Sequence, residues 1–178
     1  MNAASFGTAR LIGERLREDH LADLVALHLD PEVSRHLGGV RSPEATKDYL
    51  AASIAHWKEH GFGLWVLKTT AGEFAGRAGL RRVVVDDRED VEIAYTFKRA
   101  LWGRGLASEI APALTAYGLT QLALPSLVGL VSVGNAASRR VLEKSGYTFE
   151  RGTIWRGEKV VVYRSPLSTD RCDGPTTS

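Results

Sequence analysis

The residues best suited to chemistry are Gly103, Arg104 and Gly105, followed by Leu106, Ala107 and Ser108. They stand between a run of strand composition, residues 91–97, and a stretch whose apolar positions, Leu106, Ile110, Leu114 and Tyr117, fall at helical spacing. Strand, glycine-bearing turn and helix, in that order, can hold a phosphate. The glycines let the backbone approach an anion, and the first N–H groups of a helix have no partner within it. Arg104 adds a positive charge at the same place. The plainer alternative is a tight loop with an exposed arginine. Glu92 interrupts an otherwise apolar strand. A carboxylate in a partly dry cleft can take a proton from an ammonium ion. Read the other way, the alternation of Val91, Ile93 and Tyr95 puts Glu92 on a solvated face. Asn135 and Ser138, three residues apart at a helix start, share one face. They offer an amide and a hydroxyl to a ligand, although Asn135 is equally a good cap.

The elements that must position these groups follow from periodicity and punctuation. Residues 8–16 alternate as a strand, and residues 17–29 read as an amphipathic helix. Asp30-Pro31-Glu32 starts a short helix that stops at Gly38-Gly39. Ser42-Pro43-Glu44 starts a longer one with Tyr49, Leu50, Ser53, Ile54 and Trp57 as its buried stripe and Gly61 at its end. Residues 62–69, 74–85 and 91–97 read as strands joined by polar turns at 70–73 and 86–90, an antiparallel meander. Gly76 and Gly79 mark bulges or close approach. Residues 126–133 are a near-continuous apolar strand. Reached through a helical crossover, that strand must lie parallel to residues 91–97. Residues 135–144 form a helix closed by Gly146, and 147–151 and 155–164 a last strand pair across Gly152. Pro112 predicts either a kink in the helix after the glycine turn or a later start for it. The fold class is α/β: a mixed central sheet, with an N-terminal antiparallel meander and a parallel strand pair at the anion site, flanked by helices.

Composition narrows the function. The 178 residues suit one domain, placed at 1–165, with a polar, disordered tail at 166–178. A net charge of +2, with Lys and Arg spread along the chain, argues against nucleic acid. No apolar run reaches membrane-spanning length. The lone cysteine, Cys172, allows no intramolecular disulfide, which fits the cytoplasm. His28, His36, His56 and His60 lack metal-ligand clustering, so no metal is expected.

The sequence resembles the GNAT superfamily of CoA-dependent N-acetyltransferases. That family's motif, Q/R-x-x-G-x-G/A, is met by Trp102-Gly103-Arg104-Gly105-Leu106-Ala107, with Trp102 in place of the usual Gln or Arg. Residues 135–147, from Asn135-Ala136-Ala137-Ser138 to Leu142-Glu143-Lys144-Ser145-Gly146-Tyr147, resemble its second signature. Arg10-Leu11, Asp30-Pro31-Glu32-Val33, Trp57, Gly61-Phe62-Gly63, Trp65 and Gly76-Arg77-Ala78-Gly79-Leu80 resemble the RimJ/RimL type, named for ribosomal-protein N-terminal acetyltransferases.

The resemblance implies acetyl-CoA as co-substrate. Its pyrophosphate would rest on the turn from Trp102 to Ser108. Its pantetheine arm would lie along the backbone of Tyr95, Thr96 and Phe97, where an N–H would also stabilise the oxyanion. Glu92 would be the general base, Ser138 the donor to the departing sulfur, and Asn135 a further bond to the arm. Leu142 occupies the position of the family's frequent tyrosine acid. The early helices and the loop between the last strands would build the acceptor pocket, with Trp57, Phe62, Trp65 and Trp155 as candidate lining. The acceptor amine, a protein N-terminus or a small molecule, is the expected partner, with room for a homodimer. A CoA-binding module without catalysis is the alternative. A nucleotide-binding protein is weaker, because no Gly-Lys-[Ser/Thr] follows the turn.

Overall fold

Short polar turns and alternating apolar residues assemble one eight-stranded sheet between two layers of helices. The computed structural model describes residues 5–167. The expectations for Cys172 and for the tail from 168 onward lie outside the described residues. The elements are β1 (Ser5–Gly7), β2 (Leu11–Arg15), α1 (Leu21–Leu29), α2 (Pro31–Ser34), α3 (Pro43–His60), β3 (Leu64–Thr69), β4 (Phe74–Val85) and β5 (Arg88–Phe97). After the glycine turn come α4 (Leu106–Ala116), β6 (Val128–Ser132), α5 (Ala136–Lys144), β7 (Thr148–Trp155) and β8 (Glu158–Arg164). The strand order is β1-β2-β3-β4-β5-β6-β8-β7. The meander is antiparallel throughout, and β5 and β6 are parallel, as the crossover requires.

Local signals place the helices. Ser42 Oγ accepts the Ala45 N–H at 3.1 Å, Pro43 opens α3, and Gly61 closes it in the left-handed region at φ 73°. Asp30 caps α2 through the N–H groups of Glu32 and Val33. Along β5, Ile93 joins a core with Trp65, Leu80, Ile110, Leu114 and Leu142. Its neighbour Ala94 joins a second core with Leu24, Leu50, Leu64 and Val66. Buried on both sides, β5, like β3, is shared by the two helix layers.

Three expectations are corrected and one alternative is decided. Ser5–Gly7 is an edge strand paired with β2, so the strand expected at 8–16 is the second arm of a hairpin. The turn expected at 86–90 is only Asp86 and Asp87, both at positive φ. Such a two-residue turn matches the strand twist, and the charged run after it is already strand. The last hairpin turns at Arg156 and Gly157, not at Gly152, which lies inside β7. Helix α4 starts at Leu106, so Pro112 does not delay it. Pro112 sits on the exposed face, and the Ser108 carbonyl it leaves unbonded is on an exposed residue, within reach of water.

Candidate active site

Gly103 and Gly105 lie at φ 73° and 75°, where a side chain is strained, and Gly105 is the N-cap of α4. The turn is tied down from both flanks. The Trp102 indole N–H donates to the Phe97 carbonyl at 3.0 Å, so the residue departing from the family motif closes the loop on its own strand. Arg10 donates from Nη1 to the Arg104 carbonyl at 2.8 Å and from Nε to Glu109 at 2.6 Å. Burial would raise the Glu109 pKa, but the Thr8 hydroxyl and Arg10 outweigh it and hold the carboxyl below its ordinary value. Arg10 thus braces the turn from 94 residues away in sequence, a role its local context does not signal. Arg10→Ala is expected to weaken CoA binding about fivefold, the loss of roughly one hydrogen bond, in calorimetric titration.

Beyond this turn β5 and β6 part. Their register pairs Glu92 with Val128. From Val128 to Ser132, β6 continues in register with β8. The separation opens a cleft of about 460 Å³ at residues 95–97 of β5. The cleft gathers nearly every residue singled out in sequence: Tyr95, Thr96, Phe97, Trp102, Gly103, Leu106, Ala107 and Ser108, with Gly105, Asn135 and Ser138. Arg104 contributes its backbone to the turn but does not line the cleft. The opposite wall, Val33, His36 and Leu37 around α2, was not legible as part of this site.

Asn135 Oδ1 accepts the Ser138 N–H at 3.1 Å, so its amide oxygen is committed to capping α5. The Tyr95 hydroxyl donates to the Ser138 carbonyl at 3.4 Å, and burial raises its pKa, so this phenol stays protonated. Leu142 is fully buried in the core.

Glu92 stands apart from the cleft lining. It is 5% exposed, neither solvated nor free: Arg81, its cross-strand neighbour, donates to its Oε2 at 2.6 Å. Arg81 lines a second cavity of about 470 Å³, bounded by α3, β4 and Arg156 of the last hairpin. The sequence expected an acceptor pocket built from the early helices and the loop of the last strands, but none of the four aromatic residues expected to line it lines this cavity. Trp57, Phe62 and Trp65 are core, while Trp155 is half-buried with Arg81 and Arg156 over its ring.

Behind this cavity His28 is fully buried. Its Nδ1 is 3.1 Å from the Thr46 hydroxyl, and its Nε2 accepts from Arg77 at 3.4 Å, so the ring is neutral. Burial first, then Arg77 and Arg41, push its pKa down from 6.5 to about 3. The native state therefore binds this proton less readily than the unfolded chain. Its contribution to stability is complete above pH 6.5 and is lost as pH falls towards 3. His28→Gln is expected to flatten urea-measured stability between pH 6.5 and pH 5 by about 2 kcal/mol relative to wild type.

The site fits a long phosphate-bearing co-substrate: glycines at positive φ carry the chain into the start of α4 beside an open cleft, and β5 offers a backbone edge next to it. Together they define an α/β acyl-CoA-type site on a parted mixed sheet. The chain belongs to the acetyltransferase (GNAT) domain family, which it matches over residues 10–148. It is an acetyl-CoA-dependent N-acetyltransferase.

It is 28% identical over 161 residues to the "Uncharacterized protein YkkB" of Bacillus subtilis (strain 168), covering 86% of this chain and 94% of that one. An acetyltransferase from Agrobacterium tumefaciens str. C58 superposes with a TM-score of 0.79 at 26% identity, over 90% of this chain and 92% of that one. RimL, a ribosomal L7/L12 α-N-protein acetyltransferase solved in complex with coenzyme A, shares the fold with a TM-score of 0.76 at 20% identity, over 92% of this chain and 97% of that one. Among the described residues no three or more His, Cys, Asp or Glu gather as a metal site, and no helix is long and apolar enough to cross a membrane.

Proposed function

We propose that the protein moves an acetyl group from acetyl-CoA to a primary amine by direct attack, as a member of the RimJ/RimL-like branch acting in the cytoplasm. The observation that carries this is the parting of β5 and β6 beside the glycine turn. It leaves a backbone edge at Tyr95, Thr96 and Phe97 next to the N–H groups that open α4. An amide-bearing arm can add to such an edge as a strand does. Acetyl-CoA supplies an activated thioester.

The backbone from Gly103 to Ser108 holds the pyrophosphate. A backbone N–H of residues 95–97 faces the carbonyl oxygen as negative charge develops on it. Glu92 accepts the proton from the amine, directly or through water. Its partner Arg81 lines the second cavity, which supports a carboxylate close to an acceptor bound there. Ser138 supplies a proton on the sulfur side, and Tyr95, whose phenol reaches the same helix start, is a second O–H there.

The test is release of free thiol from acetyl-CoA against peptides with varied N-termini, amino acids, polyamines and amino sugars. Amine-dependent thiol release, with the acetylated amine identified by mass, is the expected result. Tight CoA binding without thiol release for any amine class would replace the enzyme by a CoA-binding module.

A further inference from the structure

The second cavity carries a charge pattern that the chain's small net charge conceals. Four guanidiniums, Arg41, Arg81, Arg82 and Arg156, line it, against one exposed carboxylate, Asp48, and Glu92 behind Arg81. They do not neutralise one another. Arg81 pairs with Glu92, and Arg82 reaches Glu89 only at 4.0 Å, on the exposed rim. Among the described residues, Arg41 and Arg156 have no carboxylate partner. They rest instead on aromatic faces, Arg41 at 4.8 Å from the Tyr49 ring and Arg156 at 4.6 Å from Trp155.

The cavity's other polar groups do not restore the balance. His56 accepts the Arg82 N–H on Nε2 at 2.9 Å, which leaves its Nδ1 as the donor to the Phe62 carbonyl. Burial lowers its pKa, so the ring is neutral at physiological pH. The Tyr49 hydroxyl is out of solvent and, among the described residues, without a hydrogen-bond partner. Burial, and the facing charges of Arg81 and Arg156, lower the pKa of Arg41. Like charges held together in a concave, part-buried place, beside an unused donor, are relieved by an anion.

We infer that the acceptor is a compact amine carrying an anionic group, a carboxylate or a phosphate, which docks among Arg41, Arg81, Arg156 and the Tyr49 hydroxyl. This rests on the acetyl-transfer reading and names its substrate class. The guanidiniums surround one cavity and do not form a stripe, which suits a compact anion over a long acidic chain. Polycationic acceptors are repelled. From Glu92 to Thr96, the stretch of β5 between this cavity and the cleft is about 13 Å long, within the span of a small amino acid or amino phosphate together with an acetyl-bearing thiol arm.

The experiment compares kcat/KM for matched acceptors: O-phosphoethanolamine against ethanolamine, and glutamate against its diamide, with spermidine and an acidic peptide alongside. The anionic member of at least one pair should exceed its uncharged partner by about tenfold or more, the effect of one well-made charged contact. The two pairs tell phosphate from carboxylate. In Arg41→Gln and, separately, Arg156→Gln, which lies on an exposed turn, the ratio should collapse to within about threefold.

Equal rates within both pairs, or preference for spermidine, overturn the inference while leaving acetyl transfer standing. An acidic peptide outrunning every small anion overturns the compact acceptor. Should no amine be acetylated, calorimetric titration of O-phosphoethanolamine into the CoA-bound protein still decides. Binding weakened in both variants supports the anion site although the enzyme reading fails, and no binding in wild type removes it.

Discussion

Gly105→Val is expected to leave the fold standing and to weaken CoA binding by about 100-fold or more, the equivalent of two charge-assisted hydrogen bonds. At φ 75° a β-branched residue is strongly disfavoured, so the substitution drives the backbone out of the left-handed region. Space is not the obstacle: the nearest atom to an added Cβ is Arg10 Nη2, at 3.7 Å. What moves is the direction of the N–H groups that begin α4, and these are what an anion reads. The core is untouched, because Gly105 is exposed and α4 is anchored by the fully buried Ile110 and Leu114. Calorimetric titration with CoA and a thermal melt check the two halves. A lost affinity with a melting temperature within a few degrees of wild type is the expected pair of results.

Glu92→Gln is expected to lower kcat by about 100-fold, the usual scale for removal of a general base. It should also cost about 2 kcal/mol of stability, because Arg81 is left part-buried beside a neutral partner. These effects have different origins and can be separated. The double variant Arg81→Gln/Glu92→Gln removes the stranded charge, so stability should return towards wild type. The rate should not recover, because the carboxylate is still missing. Kinetics at saturating acceptor together with urea denaturation of the three proteins check this. A rate that follows stability through the series would make Glu92 a structural anchor for Arg81 and send the proton to water.

Much of this protein was legible in its amino-acid order because the signals are local. Ser42, Pro43 and Gly61 delimit α3 through a cap, a pre-set φ and a left-handed stop, each acting within a turn of helix. The crossover from β5 through α4 dictates a parallel β6, since a chain of that length and handedness has no other way back to the sheet. The glycine turn announces itself by residue type alone. Even the errors were local: Asp86-Asp87 and Arg156-Gly157 make two-residue turns whose positive φ values polar flanking residues disguised.

Contacts between residues distant in sequence were decided only by tertiary structure. Arg10 bracing the glycine turn, and Arg41 and Arg156 meeting across one cavity, join segments that no periodicity links. A net charge of +2 spreads evenly along the chain yet concentrates in space. Charge interactions depend on distance through the fold and on burial, and neither is written in sequence spacing. The sequence by itself therefore determined the family, the glycine turn and the pairing of the meander and of the parallel strands. Folding alone determined which side chains face one another, and so the electrostatic character of the surface that would receive the acceptor.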